Sequence, residues 1–189
     1  CTPLVKCLCC NSDDIEILLD LNNQPLANSY HKEDEVLDEY PLGVNICNKC
    51  YHIQLTHVVN PDLLFKDYLY VSGTSDTLKE NMKWFADYVI ENDRRHRATV
   101  LDIACNDGTQ LDYFKEAGFK TYGIDPAKNL HKLSSKKHDV ICDYFSAEKF
   151  NTKFDVITAQ NVFAHNDTPL DFLKNCEKLM HDFSTLYIQ

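Results

Sequence analysis

Four cysteines in this chain form two Cys-x-x-Cys pairs, Cys7/Cys10 and Cys47/Cys50, with 36 residues between the pairs. Each pair places two thiolates on one tight turn, and two such turns complete a tetrahedral four-sulfur site. That geometry and those soft ligands suit Zn²⁺, and four thiolates leave no open position for water, so the expected role is structural. A redox pair would sit on a strand–helix unit and would need one Cys-x-x-Cys alone. Cys9 lies between two of the ligands and competes with Cys10. His52 and His57 are spare donors, read as strand-surface residues.

A second group is the segment Asp102-Ile103-Ala104-Cys105-Asn106-Asp107-Gly108-Thr109, which ends an apolar strand and opens a helix. Backbone N–H groups at such a turn face the anionic end of a ligand. Asp102, Cys105, Asn106, Asp107 and Gly108 are the cofactor candidates of this loop. Asp125 closes the next strand, 17 positions after Gly108, where an acid binds ribose hydroxyls. Dinucleotide loops use three glycines to admit a pyrophosphate. This loop has Gly108 alone, which argues against NAD and for a cofactor without a pyrophosphate. S-adenosyl-L-methionine (SAM) offers an amino-acid end to the loop and a ribose to the acid. An ordinary strand–helix turn has the same outline, so the motif by itself leaves both readings open.

Two further groups follow strands at the C-terminal edge, where open α/β sheets bind ligands. Asp143 offers a carboxylate to an adenine amino group, with Tyr144 or Phe145 to stack on the ring. Asn161 and His165 fall where a methyl group would meet its acceptor.

The elements that must position these residues come in two styles. Residues 1–60 read as a small β-rich module. Strands are expected at Ile15–Leu21 and Tyr51–Val59, with a turn at Gln24–Asn28 and an acidic polar stretch from His31 to Glu39. Residues 61–97 read as a linker rich in aromatic and hydroxyl side chains, with a short helix from Pro61 and a longer one capped by Ser75 or Asp76. The apolar stripe of the longer helix is Leu78, Met82, Phe85, Ala86 and Val89. From Ala98 to the end, residues 98–189, strands and helices alternate. Strands are expected at Thr99–Ala104, Lys120–Ile124, Val140–Cys142, Phe154–Ala159 and Ser184–Ile188, and helices at Thr109–Ala117, Ala127–Ser134 and Pro169–His181. That order predicts a parallel sheet with helices on its faces, incomplete at its C-terminal end.

Composition narrows the partners. The 189 residues carry a net charge of −10, against nucleic-acid binding, which needs a basic footprint. The arginines, Arg94, Arg95 and Arg97, cluster and read as the exposed basic end of a helix. No apolar run reaches the ~18–20 residues that span a bilayer, so no membrane partner is expected. The sequence shows no basic stretch followed by an apolar run, so no secretory signal is expected for its nine cysteines. That favours metal ligation and free thiols over disulfides, with a cytoplasmic location.

The chain resembles the SAM-dependent sugar C-methyltransferases that carry an N-terminal zinc-binding domain. The resemblance runs over essentially the whole chain. It rests on Cys7-x-x-Cys10, Gln24-Pro25-Leu26-Ala27-Asn28, Tyr40-Pro41-Leu42, Cys47-x-x-Cys50 and Gln54-Leu55. It continues through Tyr68-x-Tyr70-x-Ser72, Cys105-Asn106-Asp107-Gly108 and Asn161-x-x-x-His165. The fold it implies is α/β, a Rossmann-like class I methyltransferase sheet preceded by a small β-rich zinc-binding domain. The reaction it implies is methylation at C3 of a nucleotide-linked (dTDP-linked) 4-keto-deoxysugar. A base removes the C3 proton, and the enolate takes the SAM methyl group. The resemblance places Tyr68 or Tyr70 at the enolate oxygen.

Members of that family are longer, with a catalytic Glu-His pair and a further sugar-holding domain beyond the strand that ends this chain. The expectation is therefore a fragment holding the zinc module and the cofactor half of the site, inactive or weak by itself. The competing expectations are a non-catalytic SAM- or partner-binding module with a degenerate methyltransferase fold, and a methyltransferase for another molecule.

Overall fold

A computed structural model of the protein describes residues 1–93, 95 and 98–189. Arg94 and Arg97, two of the three residues of the expected basic helix end, lie outside the described residues. The described chain divides into two units, Cys1–Leu69 with Asp167–Leu170, and Tyr70–Asn166 with Asp171–Gln189.

In the first unit, β1 (Thr2–Pro3) pairs with β5 (His57–Val58), and β2 (Ile15–Pro25), β3 (Glu39–Cys47) and β4 (Ile53–Leu55) form an antiparallel sheet in that order. A short helix, α1 (Pro61–Phe65), follows, with the Asn60 side chain accepting the Asp62 N–H at 3.0 Å. The central strand β3 was not among the expected strands, and it contains Pro41 and Gly43. The sheet accommodates both. Pro41 faces Asn23 beside an irregularity in the β2–β3 register, a position where a missing N–H is tolerated. At Gly43 a Cβ would lie 2.9 Å from the Leu19 carbonyl oxygen, so only glycine allows the close approach. His57 lies in β5, its Nδ1 3.0 Å from Thr56 Oγ1, whereas His52 precedes β4 rather than lying in a strand.

This unit has almost no apolar interior. Among its described residues the buried hydrophobic side chains are Cys7 and Cys47, while Ile17, Leu18, Leu19 and Leu21 are exposed. Something other than hydrophobic burial must hold it.

The second unit contains α2 (Asp76–Asn92), β6 (Thr99–Ile103), α3 (Thr109–Glu116), β7 (Lys120–Ile124), α4 (Lys128–Ser134), β8 (Asp139–Ile141), β9 (Phe154–Ala159), α5 (Pro169–Lys178) from Asp171 onward, and β10 (Met180–Ile188). Ser75 caps α2, its hydroxyl accepting the Leu78 N–H at 3.3 Å. The five strands are parallel in the order β10-β9-β6-β7-β8. Both sheet faces are covered, as a parallel sheet requires. Val100 and Val156 pack with Phe85, Ala86, Val89, Leu111 and Phe114 on one face. Leu101, Ile103, Phe154 and Ile157 pack with Phe172, Cys176 and Leu179 on the other.

The fifth helix stops at Lys178, short of the His181 expected from sequence, and β10 begins at Met180. Tertiary pairing wins over local pattern here. Met180 is in register with Phe154, and the His181 ring lies 3.1 Å from Asp155 Oδ1. No helix among the described residues is long and apolar enough to cross a membrane.

The order of strands decides where a site forms. β7 continues the sheet on one side of β6 and β9 on the other. The order in which strands are added therefore reverses at β6, and the crevice of an open α/β sheet lies beyond its C-terminal end.

Candidate metal centre and cofactor site

The two Cys-x-x-Cys turns are built alike. In the first, the Cys7 N–H donates to Ser12 O at 2.8 Å and the Asn11 N–H to Cys7 O at 2.9 Å. In the second, the Cys47 N–H donates to His52 O at 2.9 Å and the Tyr51 N–H to Cys47 O at 2.8 Å. Asn11 and Tyr51 occupy the same left-handed backbone position, with φ 59° and 61°.

The turns bring the sulfurs of Cys7, Cys10, Cys47 and Cys50 within 4.8 Å of one another. Cys7 and Cys50 are 3.5 Å apart and Cys10 and Cys47 3.6 Å. Four thiolates bound to one Zn²⁺ at about 2.3 Å stand about 3.8 Å apart, so the donor set fits the ion. The separations exclude disulfides, whose S–S length is about 2.05 Å. Cys9 is exposed and outside the cluster, which removes it as a competing ligand.

Cys47 and Cys50 are shifted in opposite directions within the cluster. Burial opposes ionisation of Cys47, yet the N–H groups of Cys50 and Lys49 bring it down to about 7. At Cys50 the His52 N–H favours the thiolate, but burial and the thiols of Cys10, Cys7 and Cys47 push it up to about 12. A dication removes this conflict.

At the end of β6 the chain turns through Ala104 (φ 59°), Asn106 (φ 52°) and Gly108 (φ 86°). The loop thus takes three left-handed positions at a spacing of two, where counting glycines finds one. Asn adopts this conformation readily and Ala at a cost. The Ala104 N–H donates to Ile124 O at 2.8 Å. At Gly108 a Cβ would lie 2.9 Å from the His138 ring, so glycine is required for space as well as for φ.

Asp125, at the end of β7, fastens this loop. One carboxylate oxygen accepts the Asn106 N–H at 2.9 Å and the other the Ala127 N–H at 2.8 Å. Burial raises its pKa, against the pull of those two N–H groups. Asp102 and Cys105 lie beneath the loop, 4% and 3% exposed. Asp102 accepts the Thr158 hydroxyl at 2.6 Å. Burial drives the Asp102 carboxyl up to about 7, opposed by Thr158 and reinforced by Asp125. The Cys105 thiol, raised by burial and then by Asp102 and Asp125, abuts Gly123, where a Cβ would be 2.6 Å from its sulfur.

The side chains of Asn106 and Asp107 reach away from the loop to the backbone of the preceding segment, at Tyr70, Ser72 and Gly73. Sequence reasoning missed Gly73 and Thr158 as parts of this assembly. A glycine flanked by hydroxyl residues just before a helix was the available signal for Gly73.

The remaining candidates follow neighbouring strands. Asp143, after β8, pairs with Lys149 and accepts the Tyr144 N–H at 2.8 Å. The Phe145 ring packs on Phe172 at 5.2 Å. After β9, Asn161 takes φ 54° and donates its N–H to Gln189 O at 2.9 Å, and His165 is exposed on a 3-10 turn. Tyr70 is in the same unit and 44% exposed. Tyr68 belongs to the first unit, where its ring lies 6.3 Å from Phe65.

Comparison with known proteins gives two family matches. Residues 7–65 match the family described as "Putative zinc binding domain" and residues 74–189 the family described as "Methyltransferase domain". C-methyltransferase NovU of Streptomyces niveus is 33% identical over 139 residues, covering 71% of this chain and 33% of NovU. The chain thus spans about a third of the length of that relative. Among solved structures, the plantazolicin methyltransferase BpumL, in complex with a pentazolic analog and SAH, is similar with TM-score 0.51 at 21% identity, over 60% of this chain and 47% of that one. The plantazolicin methyltransferase BamL gives TM-score 0.51 at 23% identity, over 61% and 46%. At these identities the likeness shows the fold.

Proposed function

This chain belongs to the methyltransferase domain family, and we propose that it is the zinc module and SAM-binding half of a sugar C-methyltransferase. The observation that carries the reading is the left-handed loop Ala104–Gly108, fastened to Asp125 at the reversal of strand order. The similarity to NovU supports carbon as the methyl acceptor.

In this reading the amino-acid end of SAM lies against the loop at Gly108, whose own N–H bonds Cys105 O at 2.9 Å, and the Asp125 carboxylate accepts from the ribose hydroxyls. Asp143 takes the adenine amino group, with Tyr144 and Phe145 bordering the ring and Asn161 completing the edge. Asp102 and Cys105 act from below, by holding the loop. SAM supplies an electrophilic methyl group on a sulfonium, so the protein's work is orientation and charge stabilisation.

The acceptor is a nucleotide-linked 4-keto-deoxysugar, with dTDP as the nucleotide. Its keto group acidifies the C3 proton, and a general base removes it. The Tyr70 hydroxyl donates to the enolate oxygen. Tyr70 is preferred to Tyr68 because its backbone is bonded to the cofactor loop. His165, exposed after β9, borders the acceptor. Zn²⁺ on Cys7, Cys10, Cys47 and Cys50 holds the first unit and takes no part in the chemistry. The protein works in the cytoplasm on a small molecule, away from nucleic acid and membrane.

The test is transfer of a deuterated methyl group from SAM to a dTDP-4-keto-deoxyhexose by the full-length protein. The expected product carries the label at C3, read by mass spectrometry and NMR. Labelling of a different class of acceptor, with the keto sugar untouched, would overturn the sugar assignment.

A further inference from the structure

Asn106 and Asp107 spend their side chains in an unexpected direction. Asn106 Oδ1 accepts the N–H of Ser72 at 3.0 Å, and its Nδ2 donates to the carbonyl of Tyr70 at 3.0 Å. One amide thus reads a donor and an acceptor of the same backbone segment, as a neighbouring strand would. Asp107 Oδ2 accepts the N–H of Gly73 at 2.9 Å, and its Oδ1 accepts the N–H of Thr109, in the first turn of α3, at 3.1 Å. The approach is close. A Cβ on Gly73 would lie 2.5 Å from Asp107 Oδ2 and 2.6 Å from Thr109 Oγ1. Ser72 is buried at the contact.

The backbone of Asn106 is also the middle left-handed position of the loop, with its N–H on Asp125. The same residue therefore shapes the cofactor loop with its backbone and holds the Tyr70–Thr74 segment with its side chain. A shift of the loop moves the segment that carries Tyr70.

We propose that Asn106 and Asp107 are positioning residues that transmit ligand occupancy at the loop Ala104–Gly108 to the segment Tyr70–Thr74, so that a bound cofactor orders Tyr70. The inference rests on the SAM reading of the loop. It makes the two residues something other than cofactor ligands, and it explains why polar residues rather than glycines follow Cys105. Coupling between two such sites runs in both directions, so ordering of the segment and ligand affinity rise together.

Amide hydrogen exchange of the whole chain, with and without saturating S-adenosylhomocysteine, tests this. In the wild-type chain the ligand is expected to slow exchange at Ser72 and Gly73 by about 10-fold or more, within the usual range of coupling between sites. Asn106→Gly keeps a backbone suited to φ 52° and removes the grip. Gly73→Ala attacks the contact from the other side. In both variants, at saturating ligand, slowing at residues 72 and 73 is expected to fall below about 3-fold, while protection in β6 and β9 stays as in the wild type. Equal slowing in wild type and both variants would overturn the coupling. Absence of S-adenosylhomocysteine binding to the wild-type chain would overturn the SAM reading itself, and with it this inference.

Discussion

Replacing Cys47 with serine is expected to abolish metal binding and unfold the first unit. Cys47 is 1% exposed, and its sulfur stands 3.6 Å from Cys10 in the four-sulfur cluster. Serine gives Zn²⁺ a poor ligand and leaves the tetrahedral set one thiolate short. The unit has no apolar core to fall back on, with Cys7 and Cys47 its buried hydrophobic residues among those described. Structural Zn²⁺ binding of about 10–16 kcal/mol is folding energy in such modules, as large as the ~5–15 kcal/mol net stability of whole domains. Metal analysis should therefore fall from near one equivalent to none, and amide protection in β2 and β3 should vanish. Cys9→Ser, outside the cluster and exposed, should keep both. Retention of β2–β3 protection in metal-free Cys47→Ser would show that Zn²⁺ does not hold the unit.

That ligand set was readable from sequence because Cys-x-x-Cys turns are local and the donor types are chemically distinctive. The strand that carries Cys47 was not. Pro41 and Gly43 break strands by local rules, and what restores β3 is pairing on both sides with β2 and β4, set by residues far away in the chain. In the second unit the alternating strands and helices were legible, since the central strands β6 and β9 are buried almost throughout. The end of α5 was not, because Met180 is captured by its pairing with Phe154. The loop after β6 was half legible. Asp102, Gly108 and Asp125 stood out by type and spacing, whereas Ala104 bears no mark of its left-handed backbone. The outward reach of Asn106 and Asp107 depends on a segment more than 30 residues earlier and had no local signal.

The second large effect is expected at Asp125. Asp125→Ala removes the acceptor of the Asn106 N–H and of the Ala127 N–H and, on the proposed reading, the partner of both ribose hydroxyls. Hydrogen bonds to a charged group contribute about 1.5–3 kcal/mol each, so losing those to the ribose weakens S-adenosylhomocysteine binding by about 100-fold or more. The loop loosens as well, since two N–H groups lose their acceptor, at about 1–3 kcal/mol for each that stays buried. The fold should persist, because the two apolar layers on either face of the sheet do not include Asp125. Calorimetric titration against the wild type measures the affinity, and circular dichroism checks the fold. Unchanged affinity in a folded Asp125→Ala variant would assign Asp125 to loop support alone.

The central claim is that the crevice beyond β6 takes SAM and not a dinucleotide. Calorimetric titration of the wild-type chain with S-adenosylhomocysteine and, separately, with NAD⁺ tests it most directly. The account predicts single-site binding of S-adenosylhomocysteine, with a matching rise in thermal stability, and no binding of NAD⁺. Binding of NAD⁺ without binding of S-adenosylhomocysteine would contradict it.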